Sequence, residues 1–196
     1  MSLPPNEIPL GAMRFNSDSQ KLEYWNGSAW FQIHSFSSNL DGGARGVMIG
    51  GHSHPSYYNT IDFVTIPIQG NATDFGNLTK GRAETSALSN RTRGLVAGDA
   101  VPGSDDTIDV WTMSSSGNAS DFGNLLSSTN NAQSFGALAN ATRGIFGGGY
   151  QAGTGQVNIL QFVTINSNGN AVDFGDIPLD SLAYIAGASD SHGGLS

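Results

Sequence analysis

The chain has 196 residues, no cysteine, 27 glycines and 7 prolines, and its 16 acidic against 8 basic side chains leave a net charge of −8. The missing cysteine excludes a disulfide framework, thiol catalysis and cysteine-ligated zinc, and so few cations make a poor surface for nucleic acid or an anionic membrane. No apolar run approaches the roughly 20 residues of a spanning helix and no basic-then-apolar leader is visible at the N-terminus; the glycine-rich chain, with only 12% charged residues, reads as all-β.

Residues 1–40 read as an N-terminal β-meander with a linker. Residues 13–16, 21–25 and 29–33 predict three strands. Asn26-Gly27 joins the last two, a pair that tolerates the positive φ of tight hairpins. Leu22, Tyr24, Trp25, Trp30 and Phe31 supply its apolar content. Residues 35–43 lead into the second region, 41–196.

That second region is repetitive. Arg45-Gly46, Arg93-Gly94 and Arg143-Gly144 recur about every 50 residues, and Asp74-Phe75-Gly76, Asp121-Phe122-Gly123 and Asp173-Phe174-Gly175 recur in phase with them. Such a period marks a repeat architecture. The repeats span about 45–92, 93–142 and 143–194, and each predicts four short strands. The first is 47–49, 95–97 or 145–147, closed by glycine. The second is 61–66, 108–113 or 160–165, apolar at nearly every position and so expected to be covered on both faces. A hairpin turn on Gly70-Asn71, Gly117-Asn118 or Gly169-Asn170 leads to a third strand carrying Asp-Phe-Gly. The fourth is a small-residue stretch within 85–94, 135–144 or 185–194. Gly193 stands where a fourth Arg-Gly would begin, so the array is either completed by partners or part of a longer one.

One arginine and one aspartate per repeat suggest ion pairs between neighbouring units, through Arg45, Arg93 and Arg143 with Asp74, Asp121 and Asp173. The alternative is an exposed arginine beside a strand start. Phe75, Phe122 and Phe174 are expected in the core, with the following glycine allowing a bend. Asp-Phe-Gly also occurs in protein kinases, but the catalytic-loop His-Arg-Asp and strand lysine are missing here. His52 and His54 alternate as zinc ligands on a strand can, yet Pro55 follows and no third ligand has a recognisable spacing; His34 and His192 are remote. Asp105-Asp106 lacks the spacing of a calcium loop. Gly147-Gly148-Gly149 lacks the Gly-Lys-Ser/Thr of a phosphate loop. No catalytic residue, metal or cofactor is assigned. The recognition candidates are the variable segments 52–59, 99–106 and 150–158, which join equivalent strands and would share one face of a propeller. They carry His52, His54, Tyr57, Tyr58, Asp105, Asp106 and Tyr150, and exposed tyrosines suit sugar or protein contacts. The bland reading is plain surface loops or subunit contacts.

With its glycine doublets Gly50-Gly51 and Gly147-Gly148, an apolar second strand and an aromatic third, the repeat resembles the kelch motif, whose four strands form one propeller blade. Ala97-Gly98 departs from the doublet, and Phe75, Phe122 and Phe174 stand where kelch units carry tryptophan. The wording "TRG-apolar-GG" followed by "NTIDFVTI" and "GNATDFGNLT" is similar to repeats in structural proteins of tailed phages, those of cyanobacteria in particular. Residues 8–30 are similar to short modules of tail-fibre and other virion proteins. The resemblance implies kelch-like β-propeller-type repeats after a small meander; three four-stranded units alone leave a β-trefoil-like or β-prism-like threefold body as the alternative. It implies a non-enzymatic virion structural protein located in the extracellular particle, as a tail fibre, spike or capsid decoration. Its partners would be copies of itself, as a homo-oligomer expected to be a trimer, and other virion proteins, with a host-surface glycan or protein as the target of attachment. No nucleic-acid partner and no membrane insertion are expected. The alternative function is a carbohydrate-binding cell-surface or secreted adhesin. An oxidase resembling galactose oxidase would need a cysteine-linked tyrosine, for which this chain has no cysteine.

Overall fold

The structure, a computed structural model, describes residues 8–17, 21–33, 44–99, 106–126, 133–151, 153–179 and 182–189. These residues are all-β, with no helix among them, and the chain divides into two compact units, Met1–Asn39 and Leu40–Ser196.

In the first unit β1 (Met13–Asn16), β2 (Lys21–Trp25) and β3 (Trp30–Gln32) form an antiparallel meander, with Met13 opposite Tyr24 and Glu23 opposite Gln32. The Asn26 side chain closes the β2–β3 turn by accepting hydrogen bonds from the Ser28 and Ala29 amides at 2.9 and 2.8 Å, while Gly27 takes φ +99°. Side chains alternate across a strand, so one face collects Arg14, Asn16, Glu23, Trp25 and Trp30. Glu23 is buried there, bonded by Arg14 and Asn16, and the Arg14 guanidinium lies 4.2 Å from the Trp30 ring centroid. The other face presents Met13, Phe15, Leu22, Tyr24 and Phe31, all exposed. Of the residues that supply the meander's apolar content, Leu22, Tyr24 and Phe31 are thus exposed and Trp25 and Trp30 half-buried.

In the second unit, β4 (Arg45–Ile49) is followed by a short hairpin of β5 (His52–Ser53) and β6 (Ser56–Tyr57), then β7 (Thr60–Thr65) and β8 (Thr73–Asn77). Next come β9 (Ser86–Ser89), β10 (Arg93–Ala97), β11 (Thr107–Thr112) and β12 (Ser120–Asn124). The last series is β13 (Gly136–Ala139), β14 (Arg143–Gly147), the hairpin β15 (Tyr150–Gln151) and β16 (Gly155–Gln156), β17 (Ile159–Thr164) and β18 (Val172–Asp176). Three antiparallel sheets result, ordered β4-β7-β8, β9-β10-β11-β12 and β13-β14-β17-β18.

The sheets pack face to face through two cores. Val96, Trp111 and Met113 of the middle sheet meet Ile61, Phe63 and Phe75 of the first. Leu95, Ala97, Val110 and Phe122 of the middle sheet meet Phe146, Val163 and Ile165 of the last. Neighbours along β10 thus enter different cores. This is why β10 is apolar at the successive positions Leu95, Val96 and Ala97. The Arg-Gly glycine has a packing reason in the middle sheet: a Cβ on Gly94 would overlap the Trp111 indole.

Three expectations are corrected. The small-residue strands do not close the repeat that precedes them. Leu88 pairs with Leu95 and Leu138 with Ile145, so β9 and β13 begin the sheet of the following repeat. The intervening Asn90 and Asn140 form tight turns, each accepting from the amides two and three residues on. Nor do three four-stranded units appear among the described residues: the first sheet has three strands, and residues 182–189 form no strand, adding an isolated bridge from Leu182 to Val157 and hydrogen bonds from the Tyr184 amide to the Ser134 carbonyl and from the Ser189 hydroxyl to the Ala139 carbonyl. The Gly-Asn pairs are not positive-φ hairpin turns either. The left-handed φ falls on Gly76, Gly123 and Gly175, beside a register shift in each sheet.

Candidate functional site

The segments between the first and second repeat strands emerge at the same end of each sheet, where β4, β10 and β14 finish. Two of them are hairpins. In the first, His52 lies opposite Tyr57, their rings 5.9 Å apart, and His54 precedes Pro55 through a cis peptide at the tip. His52 and His54 are exposed, Tyr58 is 46% exposed and Tyr57 is half-buried. The hairpin base is anchored: the Gly51 amide donates to the Arg82 carbonyl, and the Arg82 amide to that of Tyr58. In the third repeat Tyr150 opens the hairpin, 39% exposed and bridged to Gln133. In the second, Asp106 is half-buried and its carbonyl accepts from the Leu125 amide; Asp105 lies outside the described residues, as do His34 and His192. Among the described residues no ring contact or hydrogen bond joins one hairpin to the other, and no three His, Asp or Glu side chains gather in a metal-binding group.

The repeat residues come together at the junctions between sheets. Arg45 donates to the Met113 carbonyl of the next sheet at 2.9 Å and stands 4.9 Å from the Phe63 centroid. Arg93 donates to the Ile165 carbonyl at 2.8 Å and to the Asn168 side chain, 5.5 Å from the Phe122 centroid. Arg45 and Arg93 do bridge neighbouring repeats, Arg143 stays over Phe162 and Phe174 of its own sheet, and among the described residues none forms the ion pair expected with Asp74, Asp121 or Asp173. Asp121 and Asp173 instead accept from the amides of Gly123 and Gly175 two residues on, turning their carboxylates into the local bend. Phe75 and Phe122 are buried at 2% and 3%, whereas Phe174 is 47% exposed. The Gly-Asn segments lie along the preceding sheet's last strand. Gly117 and Ala119 donate to the carbonyls of Phe75 and Asn77, and Asn118 Oδ1 accepts from the Asn77 amide; Gly169, Ala171 and Asn170 do the same for Phe122 and Asn124.

One buried ionic cluster escaped the motif reading. Arg82 and Asp109 are both fully buried and bonded at 2.9 Å. Asp109 also accepts from the Thr79 amide and hydroxyl, and Arg82 donates to the Thr107 carbonyl. Close by in sequence, Lys80 pairs with Asp99 at 3.2 Å. The available signal was an aspartate in the middle of an apolar strand, which needs a partner when buried. In the third repeat Gln161 takes that place and accepts from the Leu126 amide. Through Asp109 and Thr107 the cluster ties the segment after β8 to β11 of the middle sheet. The Glu23 carboxyl is held below the usual range by the Asn16 hydrogen bond, with Arg14 adding to it. An open cleft of about 290 Å³ lies on the last sheet, lined by Phe162, Thr164, Asn168 and Val172 among others.

No protein-family model matches the chain, and no curated protein does. Among solved structures 115 chains match. One of them, "Structure of YjhT", superposes with a TM-score of 0.58 at 10% identity, covering 83% of this chain and 61% of that one. This chain therefore spans less than two thirds of that structure's length, and at this identity the likeness concerns the all-β fold.

Proposed function

We propose that this chain is a non-enzymatic structural component of a tailed-phage particle, a fibre, spike or decoration subunit, and that its sheets are kelch-like, propeller-type blades assembled as a homo-oligomer. The observation that carries this reading is where the repeat residues go. The in-phase arginines, phenylalanines and Gly-Asn segments are spent on joining sheet to sheet by backbone carbonyls and ring faces. That is the chemistry of a rigid scaffold. The outward apolar face of the meander, with Met13, Phe15, Leu22, Tyr24 and Phe31, suits an assembly or docking module. The exposed His52–Tyr58 hairpin is the element with which such a scaffold would touch a host-surface glycan or protein.

The test is to purify particles of a phage that encodes this chain through a density gradient and to measure the chain by mass spectrometry. Recovery at a fixed copy number per particle is expected. Absence from the particles overturns the reading. The exposed tyrosines also favour the second reading, a carbohydrate-binding adhesin. Glycan binding by the free chain, lost on replacing Tyr58 with alanine and unaccompanied by particle association, would favour it instead.

A further inference from the structure

We infer that the outer face of the last sheet is an interface for the first sheet of a second copy of this chain, docked as the sheets already dock on one another. The inference rests on the homo-oligomeric, propeller-type part of the function proposed above, and it names the partner surface.

Each internal junction uses the same parts. The tail side of one sheet offers a phenylalanine ring, an arginine and the open carbonyls of the Asp-Phe-Gly strand. The head side of the next offers three apolar side chains and a Gly-Asn-Ala segment. In the first junction the head residues are Val96, Trp111 and Met113, and in the second Phe146, Val163 and Ile165; all six are buried. Their in-phase counterparts on the first sheet are Met48, Val64 and Ile66. Met48 is 59% and Ile66 69% exposed. At the other end Phe174, counterpart of the buried Phe75 and Phe122, is 47% exposed. Among the described residues the last sheet thus presents an exposed tail side and the first sheet an exposed head side of matching kind.

The polar parts match as well. In both internal junctions an arginine donates to the carbonyl of the third head residue. Arg143 stands ready over Phe162 and Phe174, 4.5 and 5.8 Å from their centroids, and would take the Ile66 carbonyl. By the same phase the Gly70 and Ala72 amides would donate to the carbonyls of Phe174 and Asp176, and Asn71 would accept from the Asp176 amide. The glycines carry an independent mark. A Cβ at Gly76 would overlap the Gly117 carbonyl, and one at Gly123 that of Gly169; at Gly175, with the same left-handed φ, nothing lies within 4 Å. The space that glycine keeps clear is filled twice and open once. One link has no counterpart. Where Thr79 and Leu126 donate their amides to Asp109 and Gln161, the third repeat has Pro178, which has no N–H. The junction between copies therefore lacks that amide hydrogen bond.

The chain is free of cysteine, so introduced thiols report alone. Two full-length single variants, Ala72→Cys at the head and Asp176→Cys at the tail, would be mixed and treated with a short bismaleimide. The expected product is a head-to-tail cross-linked pair, several-fold above head–head and tail–tail products. Phe174→Glu in the tail variant should abolish it; the ring is exposed, so an unchanged circular-dichroism spectrum and melting temperature would show that folding survives. No head-to-tail product, or equal amounts of all three, overturns the inference. If the chain is then still oligomeric by light scattering, only this interface falls; if it is a monomer at every concentration, the homo-oligomeric reading falls with it.

Discussion

Arg82 and Asp109 show how an ionic pair can be decisive without being a motif. Both side chains are fully buried, and Asp109 gathers four donor contacts, from Arg82 and from the Thr79 amide and hydroxyl. Arg82 Nε has no acceptor. A buried pair gives back little beyond its desolvation cost, whereas removing one partner leaves a bare charge. Arg82→Met should therefore lower stability by about 3–5 kcal/mol in denaturant unfolding, and Arg82→Met with Asp109→Leu should recover most of it. Equal loss in the single and double variants would mean that packing, not charge, governs the site. Glu23 gives a pH dependence of known sign. Its carboxyl is lowered in the fold by Asn16 and then Arg14. The stabilisation is then fully present above the ordinary glutamate value of about 4.3 and is lost as pH falls through the lower folded value. Emission from Trp25 and Trp30, the tilted pair 5.6 Å apart in the same meander, should stay constant from neutral pH to about 5 and change below it. Glu23→Gln should remove that step.

At the scale of elements, most strands are legible in the sequence. The predicted 13–16 and 21–25 coincide with β1 and β2, and 61–66, 108–113 and 160–165 overlap β7, β11 and β17 in all but their end residues. β-branched and aromatic runs report burial in a sheet, yet the expected cover on both faces is reached only along β11 of the middle sheet, while half or more of the positions of β7 and β17 in the outer sheets are half-buried. Pairing is not legible in the same way. Leu88 belongs to the sheet of Leu95 because the Asn90 side chain closes a turn between them, while a repeat drawn from Arg-Gly to Arg-Gly cuts through that turn. The conserved spacing of Gly-Asn likewise reads as a hairpin until the Phe75 and Asn77 carbonyls are seen waiting for its amides. Gly123 tests the element-scale packing. With φ +147° and the Gly169 carbonyl where a Cβ would sit, Gly123→Ala should shift the denaturant midpoint strongly. Gly175→Ala, with φ +133° and open space, should show only the roughly 1–3 kcal/mol of backbone strain. Equal shifts would mean that the close approach to the neighbouring sheet carries no cost.

For the whole molecule, the three sheets are one short of the smallest common propeller, which has about four blades. Two copies joined head to tail through both ends bring six sheets, within the usual four to eight, whereas the three copies expected from the sequence would bring nine. A head-to-tail contact that closes makes a ring and one that does not makes a filament. Light scattering at micromolar concentration should give twice the 20.4 kDa chain mass. A value three times that mass would return the assembly to the trimer and assign it to the outward face of the meander. Sequence by itself determined the all-β class, the threefold repetition, the position of most strands and the importance of the arginine, phenylalanine and glycine that recur. Those follow from local chemistry: side-chain branching, backbone permissiveness and period. Only the tertiary structure decided which strands share a sheet, that Arg45 and Arg93 reach carbonyls rather than aspartates, that Arg82 meets Asp109, and that Met48, Ile66 and Phe174 are exposed where their counterparts in the other repeats are buried. Each of those depends on groups from different repeats meeting in space, where a carbonyl and a carboxylate compete for the same guanidinium and nearness chooses between them.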